Sequence, residues 1–203
     1  KGGEKRLRIL AAGDFHGDSS AVKELAEKAA KENVDLIVIT GDVSHWDMEV
    51  KDMIGPFLEK KKEVMFVPGN HDLTTTDILT EKYQIKNLQG YSIKVGDVGF
   101  FGCGAANVGL NILSEKEIYY YLKNGFKYIK DAKKKVMVTH MHPRGSLIEK
   151  FSYPGSESVR KAIEEFKPDI HICGHIHELE GFEEEVGKTK VFLVGSRGRI
   201  IEI

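Results

Sequence analysis

The segment most informative about the architecture runs from residue 7 to residue 42 and reads LRILAAGDFHGDSSAVKELAEKAAKENVDLIVITGD. Two apolar runs in it, Leu7–Ala12 and Val34–Thr40, have the length and the Leu, Ile and Val content of buried strands. Between them, Ser19–Glu32 carries apolar residues at helical spacing, and Ser19 or Ser20 is a plausible N-cap. A strand, a helix and a second strand in this order predict a right-handed βαβ unit with parallel strands.

The alternation of strands and helices continues beyond this unit. We expect further strands at Glu63–Val67, Tyr91–Val95, Val98–Phe101, Lys135–Thr139 and Asp169–Cys173, helices near Asp47–Lys60 and Ser114–Lys130, and short strands within Gly181–Ile203. Gly96-Asp97 is typical of a hairpin turn. Because so many strands are too apolar for a half-solvated sheet, the sequence predicts an α/β fold, a four-layer α/β/β/α sandwich of two mixed sheets flanked by helices. No linker or repeat divides the chain, so residues 1–203 are predicted to form a single domain.

Composition and charge restrict the partners. The 203 residues include 30 Lys and Arg and 31 Asp and Glu, so the formal net charge is −1, and no global field recruits nucleic acid or an anionic membrane. The two cysteines lie far apart and suggest neither a disulfide framework nor a thiolate metal site. No apolar stretch approaches the ~20 residues of a membrane span. We therefore expect a cytoplasmic protein whose partners are neither nucleic acids nor membranes.

Short polar clusters directly follow five of the apolar runs. They are Asp14-Phe15-His16, Gly41-Asp42, Gly69-Asn70-His71-Asp72, Thr139-His140 and Gly174-His175-Ile176-His177. In an open α/β sheet, side chains beyond the carboxyl ends of the strands converge on one crevice. Together the clusters supply imidazole nitrogens and carboxylate or amide oxygens, a ligand set that suits borderline divalent metals. The sequence therefore predicts one metal site built from all five clusters.

The spacing within the clusters fits a site for two metals. In extended backbone, residues i and i+2 point to the same side, so Asp14 and His16, like His175 and His177, can present two ligands together. A carboxylate such as Asp42 can bridge two cations ~3.5–4 Å apart, an arrangement that polarises phosphoryl groups and lowers the pKa of bound water. Each cluster alone has a structural explanation; Gly-Asp after a strand, for example, is common turn chemistry. Five such clusters, each at a strand end, make that explanation untenable.

In this order, the clusters resemble the signature of the calcineurin-like metallophosphoesterases, and the chain is most similar to their small, compact archaeal and bacterial members. The resemblance covers the framework from Asp14 to His177. It implies two divalent ions (Mn, Fe, Zn, Ni or Co, with Mn the expected choice in vitro). The implied ligands are Asp14, His16, Asp42 and His177 for one ion and Asp42, Asn70, His140 and His175 for the other, with Asp42 bridging. The resemblance also implies that His71 contacts the phosphoryl oxygen or protonates the leaving group, and that Asp72 orients it.

One departure from the family pattern concerns the fourth cluster. Many relatives carry His-x-Pro-Pro there, whereas this chain has His140-Met141-His142-Pro143. We take His140 as the ligand because it directly follows the strand, but His142 could also reach the site. The segment Arg144–Ser158 is the best candidate for a substrate-facing loop, with Arg144 as the expected phosphate contact.

Five further residues are candidates of lower standing. The loop Gly102–Asn111, with Asn107 and Asn111, is a second possible substrate-facing segment. His45 and Trp46 follow the Gly-Asp turn, where they either line the pocket or lie on a surface loop. His171 lies inside an apolar run, so a core or edge position is favoured over a ligand role.

These observations predict an enzyme that hydrolyses a small phosphomonoester or phosphodiester by in-line attack of metal-activated hydroxide. Two alternatives remain open: a nuclease of the same superfamily, and a non-enzymatic scaffold subunit with a retained metal site. The near-zero net charge argues against the nuclease. The presence of His71 and of every implied ligand argues for retained chemistry.

Overall fold

Two mixed β-sheets pack face to face, and helices cover both outer faces. The computed structural model describes residues 6–48, 50–151 and 153–203. The strands are β1 (Arg8–Ala12), β2 (Leu36–Ile39), β3 (Glu63–Phe66), β4 (Lys86–Asn87), β5 (Ser92–Val95), β6 (Val98–Cys103), β7 (Lys134–Thr139), β8 (Ile170–Cys173), β9 (Glu183–Val186), β10 (Thr189–Leu193) and β11 (Arg199–Glu202). The helices are α1 (Ser19–Lys31), α2 (Gly55–Glu59), α3 (Thr74–Tyr83), α4 (Glu115–Phe126), α5 (Leu147–Phe151) and α6 (Glu157–Phe166), and a 3-10 turn spans His177–Leu179. The predicted four-layer α/β/β/α sandwich is confirmed.

Each sheet is mainly parallel, with an antiparallel strand at one edge of the first sheet and at both edges of the second. The first sheet has the order β11-β1-β2-β3-β4, and only β11 runs antiparallel to its neighbour. The second sheet has the order β5-β6-β7-β8-β10-β9, with antiparallel pairs at its two edges. The carboxyl ends of the parallel strands in a sheet therefore meet at one edge, where the polar clusters begin.

Three layers of apolar side chains hold the sandwich together. Strand β1 shows the pattern: Leu10 packs with α1 on the outer face, whereas Ile9 packs with the second sheet. Because both faces of the central strands are covered, their sequences are continuous apolar runs without alternation. A third cluster, which includes Leu122 and Val159, joins α4 and α6 to the second sheet. Cys103 and Cys173 are free and buried in this cluster, as expected for cysteines outside a disulfide framework.

Several predicted elements change in extent. The N-cap of α1 is Asp18, whose carboxylate accepts hydrogen bonds from Ser20 N and Ala21 N; the expected serine cap is therefore wrong. The helix expected near Asp47–Lys60 shrinks to α2, which begins at Gly55-Pro56, where proline suits the first helical turn. The hairpin around Gly96-Asp97 is confirmed as the β5–β6 pair.

Three helices were missed; one of them lies in the expected substrate loop and a second begins at its end. Arg144–Ser158 contains α5, and α6 begins at its end behind Ser156, whose hydroxyl accepts from Val159 N. The third helix, α3, begins with three consecutive threonines, and its start has no cap from its own sequence. The carboxylate of Asp47 caps it instead from a distant loop, accepting hydrogen bonds from Leu73 N, Thr74 N and Thr75 N. None of the helices in the described ranges is long and apolar enough to cross a membrane.

His171 lies in β8 as a buried core residue, as expected. Its Nε2 is 2.6 Å from the hydroxyl of Thr139, and that hydroxyl donates to the carbonyl of Met141, so the ring N–H donates to the hydroxyl oxygen. Within the described ranges, Nδ1 has no hydrogen-bond partner. Burial, together with nearby His142, lowers the pKa of His171 from 6.5 to about 3.

This depressed pKa predicts acid sensitivity. As the pH falls below 6.5, the unfolded chain binds a proton at this position before the folded chain does, so stability is lost between about pH 6.5 and 3. We expect His171→Gln, which can still donate to Thr139, to reduce the slope of the unfolding free energy against pH in this range. The reduction is at most about 1.4 kcal/mol per pH unit, which corresponds to one bound proton. Urea unfolding of metal-free wild type and variant, followed by circular dichroism, measures this. Equal slopes would contradict the assignment.

Candidate active site

The loops that follow the strands bend sharply to bring the polar clusters together. Asp14, His16, Asp42 and His175 all have left-handed backbone, with φ between 46° and 76°. The expected same-side pairing in extended backbone is therefore wrong: these turns orient the ligands, whereas strand geometry does not. Such conformations cost about 1–3 kcal/mol each and accumulate at functional sites. The surrounding fold has to hold them in place.

The first cluster of potential metal ligands consists of Asp14, His16, Asp42 and His177. One ligand atom from each lies within 4.8 Å of all the others. His16 Nε2 is 3.0 Å from His177 Nε2 and 3.6 Å from Asp42 Oδ2, and His177 Nε2 is 3.5 Å from Asp14 Oδ1. The backbone N–H of His175 donates to both oxygens of Asp14 and fixes that carboxylate.

The second cluster consists of Asp42, His140 and His175, with Asn70 beside them. His140 Nε2 is its centre, lying 3.5 Å from Asp42 Oδ2, 3.1 Å from His175 Nδ1 and 2.8 Å from Asn70 Oδ1. Oxygen Oδ2 of Asp42 thus faces an imidazole of each cluster. The structure brings together all seven residues that the sequence analysis names as ligands, in two groups that share one carboxylate.

The tautomer of His140 shows that the second cluster suits a cation. Its Nδ1 is 2.8 Å from the carbonyl oxygen of Thr40, which only accepts, so Nδ1 carries the proton. In the neutral ring, Nε2 then presents a lone pair toward the oxygens of Asn70 and Asp42. The oxygens of Asn70 and Asp42 cannot donate to this lone pair, whereas His175 Nδ1 at 3.1 Å can, and a divalent ion among these ligands would satisfy all of the acceptors at once.

The charge states of the ligands are consistent with metal binding. Burial lowers the pKa of His16 to about 4 and that of His175 to about 3, so both rings are neutral near pH 7, the form that binds metals. Burial alone would raise the pKa of Asp14, but the hydrogen bond with His177 and the nearby imidazoles outweigh it and lower the pKa. The same hydrogen bond raises the pKa of His177. Burial raises the pKa of Asp42; His140 opposes this effect and Asp14 adds to it.

Two glycines provide the space that the carboxylates occupy. A Cβ atom on Gly69 would lie 2.0 Å from Oδ1 of Asp42, and one on Gly174 would lie 2.7 Å from Oδ2 of Asp14. Real Cβ atoms do not approach so closely, so any side chain at either position would displace a carboxylate. The glycines that precede Asn70 and His175 therefore belong to the site.

His71 lies beside both ligand clusters but belongs to neither of them. Its backbone N–H donates to Asp42 Oδ1 at 2.9 Å, which places the residue next to the shared carboxylate. Its ring stacks on Trp46, with the ring centroids 3.8 Å apart and the planes at 28°. One nitrogen of His71 also lies within 4.8 Å of nitrogens of His16 and His45. Of the two locations left open for His45 and Trp46, the structure places them at the pocket.

Asp72 does not do what the sequence analysis assigned to it. Its buried carboxylate accepts hydrogen bonds from Val43 N, Ser44 N, the Ser44 hydroxyl and Gly69 N. In the described part of the chain, Nδ1 of His71 has no hydrogen-bond partner. Asp72 therefore ties two loops together and does not orient the ring of His71 directly, because four donors already surround its oxygens.

The predicted substrate contacts find other partners. His142 is buried, and its Nε2 is 3.0 Å from the carbonyl oxygen of Tyr153, so it joins neither ligand cluster. The exposed guanidinium of Arg144 forms ion pairs with Glu149 at 3.1 Å and Glu157 at 3.7 Å, so a phosphate would have to compete with two carboxylates. Asn107 is exposed in the loop after β6.

Sequence reasoning missed the contacts that support the site. The carbonyl oxygen of Thr40 accepts a hydrogen bond from His140, and the hydroxyl of Ser44 donates to Asp72. Neither residue type indicates such a contact in the sequence. Asn111 is expected to face the substrate, but its side-chain amide donates to the carbonyls of Gly69 and Asp72 and supports the segment Gly69-Asn70-His71-Asp72 from outside. Only the folded chain shows these partners.

The fold and the two clusters define a hydrolase framework with room for two metal ions, and comparison with known proteins assigns the family. The model of the calcineurin-like phosphoesterases matches residues 7–179. The uncharacterized protein MJ1162 of Methanocaldococcus jannaschii is 32% identical over 202 residues, covering 92% of this chain and 87% of that protein. The chain belongs to the calcineurin-like phosphoesterase family. It is a hydrolase of phosphoester bonds in a family that uses divalent metals in a dinuclear site.

Solved structures show the same fold. The protein TT1561 of Thermus thermophilus superposes with a TM-score of 0.77 at 18% identity, covering 95% of this chain and 91% of that one. A dimetal phosphatase from Danio rerio superposes with a TM-score of 0.62 at 12% identity, covering 95% and 88%. At these identities the likeness is one of architecture.

The position of Asp42 between the clusters predicts unequal effects on metal content. We expect Asp42→Asn to lower bound metal by more than one equivalent, because both clusters lose an anionic ligand, and Asn70→Ala to remove at most one equivalent. Elemental analysis after dialysis against limiting Mn²⁺ measures this, and circular dichroism checks folding. Equal metal content in the two variants would show that Asp42 does not bridge.

Proposed function

We propose that this protein hydrolyses a small phosphomonoester or phosphodiester at a dinuclear metal centre. The observation that carries the proposal is the shared carboxylate: Oδ2 of Asp42 lies 3.6 Å from His16 Nε2 and 3.5 Å from His140 Nε2. A carboxylate that faces two separate sets of imidazole nitrogens and oxygens suits two cations held side by side.

The chain's own residues divide into two ligand sets. Asp14, His16, Asp42 and His177 would hold one ion, and Asp42, Asn70, His140 and His175 the other. When bound, the ions would polarise the phosphoryl oxygens and lower the pKa of a water molecule enough for it to attack phosphorus. The two carboxylates carry less negative charge than two dications carry positive charge, so the loaded site attracts an anionic ester.

His71 supplies the remaining polar group of the reaction. Its hydrogen bond to Asp42 keeps it beside the shared carboxylate, while its ring stays outside the first and second clusters. From there the imidazole can donate a hydrogen bond to a phosphoryl oxygen, or a proton to the departing oxygen. Asp72 supports this arrangement indirectly, by holding the loops that carry Asp42 and His71.

A small substrate fits the surroundings better than a nucleic acid does. The net charge is −1, and Arg144, the cation expected to contact phosphate, is already paired with two glutamates. Nucleic-acid binding relies on several unpaired cations that follow the backbone. We therefore propose a small phosphate ester as the substrate, with Mn²⁺ as the activating ion in vitro.

The first expected outcome is strict metal dependence. Prolonged chelation should abolish hydrolysis of bis-p-nitrophenyl phosphate and p-nitrophenyl phosphate, and Mn²⁺ should restore it, because the proposed nucleophile is a water molecule whose pKa the metal ions would lower. Release of p-nitrophenol, measured beside elemental analysis of the same samples, tests this. Full activity in protein shown to be metal-free would overturn the mechanism. Digestion of single-stranded DNA in preference to both esters would favour the nuclease.

The second outcome concerns His71. His71→Gln should leave metal content unchanged while lowering turnover by ~10²–10⁴-fold, the usual contribution of a positioned acid–base group. The loss should be smaller for a nitrophenolate leaving group, which departs without a proton, than for an alkoxide. Equal losses would mean that His71 binds the phosphoryl oxygen, and loss of one equivalent of metal would mean that it is a ligand.

A further inference from the structure

We propose that Trp46 is a positioning residue: its indole ring, stacked on His71, sets the orientation in which the imidazole meets the substrate. This inference rests on the proposed function, because it assigns a task to Trp46 only if His71 takes part in the reaction. It concerns a residue outside the five polar clusters.

The ring of His71 requires such a support. Its Nδ1 has no hydrogen-bond partner in the described part of the chain, and the adjacent carboxylate of Asp72 is occupied by four donors from other residues. An imidazole turns readily about its outer torsion, for which the energy wells are broad. Acid–base and hydrogen-bonding roles depend on fixed geometry. Some contact other than a hydrogen bond must therefore hold the plane of this ring.

Among the rings around His71, Trp46 provides the closest contact. Its centroid lies 3.8 Å from that of His71, at an angle of 28°, so the indole covers one face of the imidazole. His16 approaches with its ring nearly perpendicular at 4.6 Å, and His45 is 5.6 Å away. The stacked indole opposes rotation of the ring, whereas the neighbouring imidazoles touch only its edge or lie farther off.

The loop that carries Trp46 is tied to the segment that carries His71. The backbone N–H of Asp47 donates to the carbonyl of His71 at 3.1 Å. The carboxylate of Asp47 also accepts from the backbone N–H groups of Leu73, Thr74 and Thr75. Trp46 and His71 are therefore fixed to one another through the backbone as well as through their rings.

The backbone of this loop is strained in a way that places the indole. Trp46 and Asp47 have φ values of 52° and 61°, a left-handed conformation that aspartate tolerates but that a bulky residue such as tryptophan rarely adopts. If Trp46 had no function, glycine or asparagine at this position would make the loop more stable, because both tolerate left-handed backbone. The side chain is 42% exposed, so the indole also remains accessible at the pocket.

The chain contains a single tryptophan, so its fluorescence reports directly on this contact. We expect His71→Gln to change the emission intensity and to increase quenching by acrylamide, because the covered face of the indole becomes accessible. His171→Gln, which alters a histidine in the core, is the matched control and should leave both quantities as in the wild type. Unchanged emission and quenching in His71→Gln would show that the rings do not stack in solution, and would overturn the proposal without reference to any activity.

A double-mutant cycle tests whether the stacking positions His71 during the reaction. For an alkyl phosphodiester and with metal content unchanged, Trp46→Leu should lower kcat roughly 10- to 100-fold, the scale of a small misplacement of a catalytic group, with little change in KM. Trp46→Phe, which keeps a flat ring, should recover most of the loss. In the His71→Gln background, Trp46→Leu should have no further effect, because the residue through which it acts is gone.

Three results would overturn the proposal. They are an equal loss from Trp46→Leu in both backgrounds, a loss confined to KM, which would mark Trp46 as a substrate contact, and a loss of bound metal. Absence of hydrolysis in the metal-loaded wild type would instead refute the proposed function, and the fluorescence arm would still decide whether the rings stack.

Discussion

The shared carboxylate of Asp42 sets the main electrostatic demand of this site. It is buried, lies near the carboxylate of Asp14 and accepts only one hydrogen bond from the described protein, from the backbone of His71. Burial of an anion is costly unless opposite charge compensates it. His16 and His175, whose pKa values burial lowers to about 4 and about 3, do not provide that charge near pH 7, whereas two divalent ions can. Without metal, the buried carboxylate therefore destabilises the folded protein. Bound metal ions would remove this cost, and the free energy recovered would favour metal binding.

Carboxylates outside the ligand clusters provide the mechanical support. Asp72 joins the loops at 41–44 and 69–72 through four hydrogen bonds, and Asp47 joins the Trp46 loop to the start of α3 through three. Each satisfies backbone N–H groups that loops and helix starts leave without partners. The bonds to Asp72 hold the loop in which Asp42 has left-handed backbone, and the left-handed turn at Asp14 and His16 is tied to that loop by backbone bonds from Asp14 N to Gly41 O and from His16 N to Asp42 O. The metal ligands thus lie on strained turns that a hydrogen-bonded frame holds in place.

Loops and a short helix surround the ligand clusters. The ligand clusters lie at the carboxyl ends of strands in a sandwich shared with TT1561 at only 18% identity. Around them, this chain places the Trp46 loop, the Asn111 loop, and α5 with its neighbouring loop, in which Arg144 pairs with glutamates. Because loops tolerate sequence change better than packed strands, selection among phosphate esters is expected to reside there.

The two-sheet sandwich, the family and the set of residues that meet at the crevice could all be predicted from the amino-acid sequence. This was possible because apolar runs of strand length, each ending in a polar cluster, are local patterns, and parallel strands bring their carboxyl ends to one edge. How those residues are used became visible only in the folded chain. Asp47 caps α3 from a distant loop, and the carbonyl of Thr40 sets the tautomer of His140. Asp72 accepts hydrogen bonds from the loops and not from the ring of His71, on which Trp46 stacks instead. Each of these contacts joins segments of different loops or strands, and pairing of that kind leaves no local pattern in the sequence.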